Sequence, residues 1–447
     1  MKGTAMSLSL INLPQEVLDE ILEYLPATEL TLLSSVCRDL HNLVESEILW
    51  KQRCYNDFNL SLTQTSRLDG WKKLYKALTK PSVYTWGEGS HGRLGREIGG
   101  NIFNIKPKIV EEMNGKGIAQ LVCGGWSMTT LTKQGEVWTW GTMNAEASLQ
   151  RNPNDYDQEE PINTPATFYR MMSTGPNVVH ETPTLIEGLR GKKVKSIASG
   201  RAHGLALTNN GEVYQWRSVS RVIRISLPEE SRIVQIAAGW SHSLALSRDG
   251  RIFSWESDTP DIISEGECVA NPTKNERYVL IAGGENFTLG LTNLGNVYKS
   301  ENGGNPSNLS LFDGASGKKF THISAAFRHF AAFNEEGEVA IWDDTGNEEV
   351  YPELQHRGVN QVAFGDWHSG ALTDDGKLYT WGQHSGGALG HSDVFHEVKR
   401  PTLVKELENQ YVFSISFAGW HSAALVVPLD TKPESNSIWQ FITQLFN

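Results

Sequence analysis

One short string constrains this chain more than any other feature, because it returns seven times in strict register. In Gly239-Trp240-Ser241-His242-Ser243-Leu244-Ala245-Leu246 the first glycine is an anchor, and equivalent Gly or Ala anchors stand at Gly124, Gly200, Gly284, Ala326, Gly365 and Ala418. Three residues later come Ser127, His203, His242, Phe287, His329, His368 and His421. Eleven residues after the first six anchors lies a turn glycine, at Gly135, Gly211, Gly250, Gly295, Gly337 and Gly376. Five further on comes Trp140, Trp216, Trp255, Trp342 or Trp381, with Ser300 the exception. Self-similarity at about 40 residues marks a repeat architecture. Each unit reads as a hairpin: alternating apolar strands around a glycine turn, as in Leu244-Ala245-Leu246 and Ile252-Phe253-Ser254-Trp255. Val83 to Gly87 is a second hairpin strand without its anchor, and Ile415 to Val427 an anchor strand without a successor. Joined, they make one blade. The expectation is a seven-bladed propeller closed by its two ends, which removes the exposed sheet edges of an open array.

Period alone does not separate this propeller from those built of WD or kelch repeats. The glycines do. Trp86-Gly87-x4-Gly92-x-Leu94-Gly95 and Trp381-Gly382-x4-Gly387-x-Leu389-Gly390 share one spacing, and with the G-x-x-H-S-x-A-L strands they resemble the regulator-of-chromosome-condensation repeat over about residues 82 to 428. The pattern degenerates at Thr142 to Gln150 and around Ser300. The founding member of that family is a nucleotide-exchange factor for a nuclear GTPase, so exchange or scaffolding through the propeller is the alternative reading of function.

Ahead of the repeats, Leu13, Val17, Leu18, Ile21, Leu22 and Leu25 recur at helical intervals after Asn12-Leu13-Pro14, and Pro26 ends that helix. Leu30, Leu33, Val36, Cys37 and Leu40 make a second stripe, and Leu43 to Trp50 a third segment. Three short helices are expected, with more apolar surface than they can bury among themselves. These residues closely resemble the F-box. The resemblance implies that Leu13, Pro14, Val17, Leu18, Ile21, Leu22, Leu25, Leu30, Leu33, Val36, Cys37, Leu40, Leu49 and Trp50 dock on the Skp adaptor of a cullin-based SCF ubiquitin ligase. The fold class is therefore α+β multidomain: an all-α F-box module (8–54), a helical connector (55–81), an all-β seven-bladed propeller (82–428) and a tail (429–447) whose Ile438, Trp439, Phe441, Ile442 and Leu445 share one helical face.

The five repeated histidines lack an accompanying carboxylate or thiol, so they are expected to hydrogen-bond between inner strands rather than ligate a metal. The glycine-rich stretches lack the P-loop lysine, and no nucleophile elbow, triad or metal-ligand spacing occurs. No catalytic residue, metal or cofactor is expected. Between anchor and histidine two residues vary on a constant frame. Such positions lie at one rim of the ring, and Arg201, Trp240, Arg328, Asp366, Trp367 and Trp420 are the candidates for contact with a protein substrate. The alternative for the tryptophans is that they wedge between blades.

The formal charge is -12, from 40 Lys plus Arg against 52 Asp plus Glu, which disfavours nucleic acid and acidic membrane as partners. No apolar run reaches membrane-spanning length, and the scattered Cys37, Cys54, Cys123 and Cys268 suit a reduced, nuclear or cytosolic compartment. The insertion at 142–190 is acidic and proline-rich at its start, read as a surface flap rather than a grip on substrate. The acids between Glu335 and Glu353 suit a basic partner surface. The reading is a substrate receptor whose helical module tethers it to a ligase while the disc selects a target.

Overall fold

The computed structural model describes residues 13–58, 70–99, 102–143, 179–228, 231–257, 268–300, 306–392 and 396–429. The tail helix expected after residue 429 and most of the 142–190 insertion lie outside the described residues. The chain divides into two compact units, residues 1–80 with 428–447 and residues 81–427.

The helical unit holds α1 (Gln15–Tyr24), α2 (Ala27–Leu33), α3 (Arg38–Val44), α4 (Glu47–Phe58) and α5 (Trp71–Leu78). Pro14 opens α1: its carbonyl accepts from the amides of Val17 and Leu18 at 3.0 and 3.1 Å. Leu25 is extended, as the residue before Pro26 must be. The apolar stripe from Leu30 to Leu40, expected as one helix, is two. The Ser34 hydroxyl donates to the Thr31 carbonyl (2.8 Å) and the Ser35 hydroxyl to that of Leu32 (2.6 Å), giving the backbone an alternative to continued helix. Cys37 is then extended before α3 starts. Leu18, Leu22, Leu30, Leu40, Val44, Leu49 and Trp50 are buried, as are Leu74, Tyr75 and Leu78 of α5. Trp50 donates its indole N–H to the Val44 carbonyl (2.6 Å) and packs on Tyr75 with centroids 4.9 Å apart, so α5 closes the core of this unit.

The second unit is a ring of seven four-stranded antiparallel sheets. Each anchor follows an innermost strand, so a blade carries two strands beyond the expected hairpin. In blade three the order outward is Ile233–Ala238, His242–Ser247, Ile252–Glu256 and Cys268–Val269. Outermost strands such as Ser310–Leu311 and Glu348–Glu349 are two residues long and carry no alternation to detect. The closing blade runs Phe103–Ile109, Ser82–Glu88, His421–Pro428, Gln410–Ala418, with Val83 opposite Leu425 and Gly87 opposite His421.

The repeat residues are the joints between blades. Trp86, Trp140, Trp216, Trp255, Trp342 and Trp381 are all buried. Trp86 donates to the Ala388 carbonyl (2.8 Å) and Trp140 to that of Arg93 (3.1 Å), each reaching the glycine loop of the preceding blade. At three anchors glycine is required because the ring three residues later lies on its Cα: a Cβ on Gly200, Gly239 or Gly365 would sit 2.1–2.2 Å from Cε1 of His203, His242 or His368. The other face of each ring serves the next blade. His203 Nε2 bonds Ser243 Oγ (3.0 Å), His242 Nε2 bonds Thr288 Oγ1 (3.2 Å) and His368 Nε2 bonds Ser422 Oγ (2.8 Å). Where Phe287 replaces the histidine, Phe330 replaces the hydroxyl, with ring centroids 5.5 Å apart.

Candidate functional site

In the helical unit the residues assigned to the adaptor separate by burial. Leu18, Leu22, Leu30, Leu40, Leu49 and Trp50 are core, and this corrects their assignment to a docking surface: side chains that hold the helices together are not available to a partner. Leu13, Ile21, Leu25, Leu33 and Cys37 are half-buried, while Pro14, Val17 and Val36 are exposed. Three residues outside that set are strongly exposed: Tyr24 at 82%, Leu32 at 63% and Ile48 at 81%. Val17 and Tyr24, two turns apart, share one face of α1. Their periodicity matches that of the core leucines, so sequence alone did not separate the two sets.

In the propeller the residues that follow the anchors surround the mouth of a central cavity of ≈ 300 Å³, whose wall is made by the innermost strands. Backbone bonds pass from blade to blade around this mouth: Gly125 N to Arg201 O (3.1 Å), Arg201 N to Trp240 O (3.2 Å), Trp240 N to Gly284 O (3.0 Å), Glu285 N to Phe327 O (2.7 Å) and Asp366 N to Gly419 O (3.1 Å). The variable side chains are thus presented on a rigid frame. The Arg201 guanidinium lies between two indoles, 4.6 Å from the centroid of Trp126 and 4.3 Å from that of Trp240. Trp240 continues into Phe327 (4.9 Å) and Phe327 into Trp367 (6.5 Å). Unlike the repeat tryptophans, Trp126, Trp240, Trp367 and Trp420 are not buried, which argues against their wedging between blades; Trp367 and Trp420 are about half exposed.

The charges at the mouth differ in their commitments. Arg328 is paired with Glu285 at 3.1 Å, with Asp344 at 4.0 Å. Asp366 lines the cavity, and burial pushes its carboxyl up to about 6 against the opposing pull of Arg201. Arg93, nearly buried, is paired with Glu88 at 2.8 Å. Glu285 and Phe327 stand at rim positions between anchor and third residue but were not among the candidates for substrate contact, and neither was Trp126. Trp126 was legible in the repeat, since Gly124 and Ser127 on either side of it hold the anchor and third positions of the register.

His203, His242 and His368 behave as joints, whereas His329, against the expectation that no carboxylate accompanies the repeated histidines, has its Nε2 3.3 Å from Glu349 Oε1. Burial pushes His203 and His368 down to about 3 and His242 to about 4, so the rings are neutral and their Nε2 atoms are taken by hydroxyls of the next blade. Among the described residues no three His, Cys, Asp or Glu side chains gather to hold a metal ion.

With this geometry in view, an F-box-like family model matches residues 10–56. Models of the regulator of chromosome condensation (RCC1) repeat match residues 82–131 and 375–425, and 194–216, 233–255 and 359–387. The fission-yeast F-box protein pof9 (Schizosaccharomyces pombe) is 22% identical over 95% of this chain and 92% of its own. The ultraviolet-B receptor UVR8 of Arabidopsis thaliana is 24% identical over 77% of this chain and 70% of that protein. The human E3 ubiquitin-protein ligase HERC2 is 31% identical, but the match takes in 34% of this chain and only 3% of that much longer protein. Among solved structures, Prp20p of Saccharomyces cerevisiae aligns with a TM-score of 0.62 at 18% identity, covering 86% of this chain and 99% of that one. Human WBSCR16 gives 0.60 at 18% identity, covering 78% and 99%. The class is that of RCC1-repeat propellers. Within it, this chain is an F-box RCC1-propeller protein, with an F-box-like module preceding the ring.

Proposed function

We propose that the protein is the substrate-recognition subunit of an SCF-type ubiquitin ligase, non-catalytic itself, its F-box docking on a Skp adaptor and through it a cullin while the propeller mouth holds the protein to be ubiquitinated. The observation that carries this reading is the exposure of Val17, Tyr24, Leu32, Val36 and Ile48 in a helical unit whose core is already filled, inside the segment matched by the F-box-like model. Large apolar side chains left outside a filled core mark an interaction surface. The propeller supplies rigid aromatic and arginine side chains at its mouth, the residue types that dominate binding energy at interfaces. Tethering a target in this way raises its effective concentration near the ligase without new chemistry in this chain.

The test is copurification of the full-length chain with a Skp adaptor and cullin. A Leu32→Glu/Val36→Glu variant changes exposed residues only, so it is expected to keep its melting temperature and to lose the adaptor by tenfold or more. Undiminished adaptor recovery from that variant would refute the assignment of this face. Absence of adaptor from the unaltered chain, together with accelerated nucleotide release from a small GTPase, would favour the exchange-factor reading instead.

A further inference from the structure

Arg201 is the cation at the propeller mouth whose guanidinium has no acid of its own. Its guanidinium carbon lies over both Trp126 and Trp240, so the cation is held at the mouth before any partner arrives. Among the described residues no side chain accepts a hydrogen bond from it, and its Nε–H is buried without a partner. The nearby acids do not fill this gap. Glu285 is committed to Arg328 at 3.1 Å, and Asp366 acts on Arg201 through space rather than by hydrogen bond. Burial works against the Arg201 charge, and a partly desolvated cation gains most from an anion that brings hydrogen-bond acceptors to it. Around it the surface is aromatic: Trp240 leads to Phe327 and on to Trp367.

We infer that Arg201 is the anchor of a recognition pocket for an acidic side chain: the recognised protein presents an Asp or Glu carboxylate to the Arg201 fork, with neighbouring apolar residues laid on Trp240 and Phe327. The inference rests on the propeller acting as a receptor and names the chemistry of what it receives. Bidentate arginine–carboxylate pairing supplies direction as well as energy, and aromatic anchors beside it exclude water from the pair. Arg328, already paired, contributes little to such a contact.

The experiment selects a library of random dodecapeptides, displayed with blocked carboxyl ends, on the full-length protein. Enriched sequences are expected to share an Asp or Glu next to an aromatic or branched apolar residue. Synthetic versions should lose tenfold or more in affinity with Arg201→Gln, lose as much when the peptide acid becomes its amide, and lose little further when both changes are combined. Arg201→Lys should recover part of the loss, and Arg190→Gln, an exposed arginine paired with Glu187 away from the mouth, should change affinity less than threefold. Melting temperatures of the variants report folding separately. Enrichment of basic or purely apolar peptides, or acidic peptides indifferent to Arg201→Gln, would overturn the Arg201 assignment while leaving the receptor reading in place. No enrichment at all, with the adaptor still bound, would overturn the mouth as a peptide site.

Discussion

Asp366 shows how one residue reports the cost of building this mouth. Its carboxyl is pushed up to about 6 by burial, which outweighs the attraction of Arg201 and Arg93. The folded state therefore holds a proton that the unfolded chain releases near its ordinary value of 3.8, and stability is gained as pH falls from neutrality through 6. Asp366→Asn keeps an oxygen that can accept from the Gly419 amide and removes the buried charge. It should raise stability at pH 7.5 by about 1–3 kcal/mol, with the gain shrinking toward zero near pH 4, as thermal melts across that range will show. A variant less stable than the parent at pH 7.5 would mean that the pull of Arg201 outweighs burial.

At the level of elements, the joints between blades include one that sequence reading passed over. Four residues before three of the anchors stands a glutamine, and each clips its innermost strand to the next blade with both ends of its amide. Gln120 bonds Ile197 N and O (3.0 and 3.1 Å), Gln235 bonds Ile281 N and O (3.0 and 3.1 Å), and Gln361 bonds Ile415 N (3.0 Å) and Phe413 O (3.3 Å). Gln235→Ala should leave a buried N–H and C=O unpaired and cost about 2–4 kcal/mol in denaturant unfolding, against less than 1 kcal/mol for an exposed polar residue such as Gln134. A loss near that of the exposed control would refute the clip. Why this was missed, when the seven blades were legible, is physical. Histidine, turn glycine and tryptophan recur because each meets a similar neighbour in most blades, whereas the position four before the anchor is glutamine in three blades and His322 in another, where Ser324, two residues further on, bonds Val362 O at 2.6 Å. Three of the outermost strands, Cys268–Val269, Ser310–Leu311 and Glu348–Glu349, are too short for periodicity, and the break between α2 and α3 depends on two serine hydroxyls within an apolar stripe. The split between core and exposed residues of the F-box-like module follows from tertiary packing, which apolarity alone does not encode. At the mouth the frame was legible from the repeat, while the Trp126–Arg201–Trp240 stack joins residues of three blades and became visible only with the ring closed.

For the whole molecule, the neutral histidines set an acid limit. His203, His242 and His368 are held at about 3 to 4, and His421 well below its ordinary value, while the unfolded chain takes up protons near 6.5. A depressed histidine stabilises fully above about 6.5 and loses that contribution as pH falls to its folded value of about 4 or 3, by on the order of 3–5 kcal/mol per ring. Several such rings together exceed the stability of an ordinary domain. The propeller should therefore unfold cooperatively between pH 6 and 4 in far-ultraviolet circular dichroism, and His242→Gln should move that midpoint down. An unchanged midpoint would place the acid sensitivity elsewhere. The closing blade carries a consequence of another kind, in the order of synthesis. Ser82–Glu88 emerges first but finds its partner His421–Pro428 only after six other sheets have been made, so each of those can form from contiguous chain while the ring stays open. During that interval an N-terminal strand carrying Val83 and Trp86 has one edge unpaired, which makes the nascent chain, rather than the finished ring, the state most in need of a chaperone.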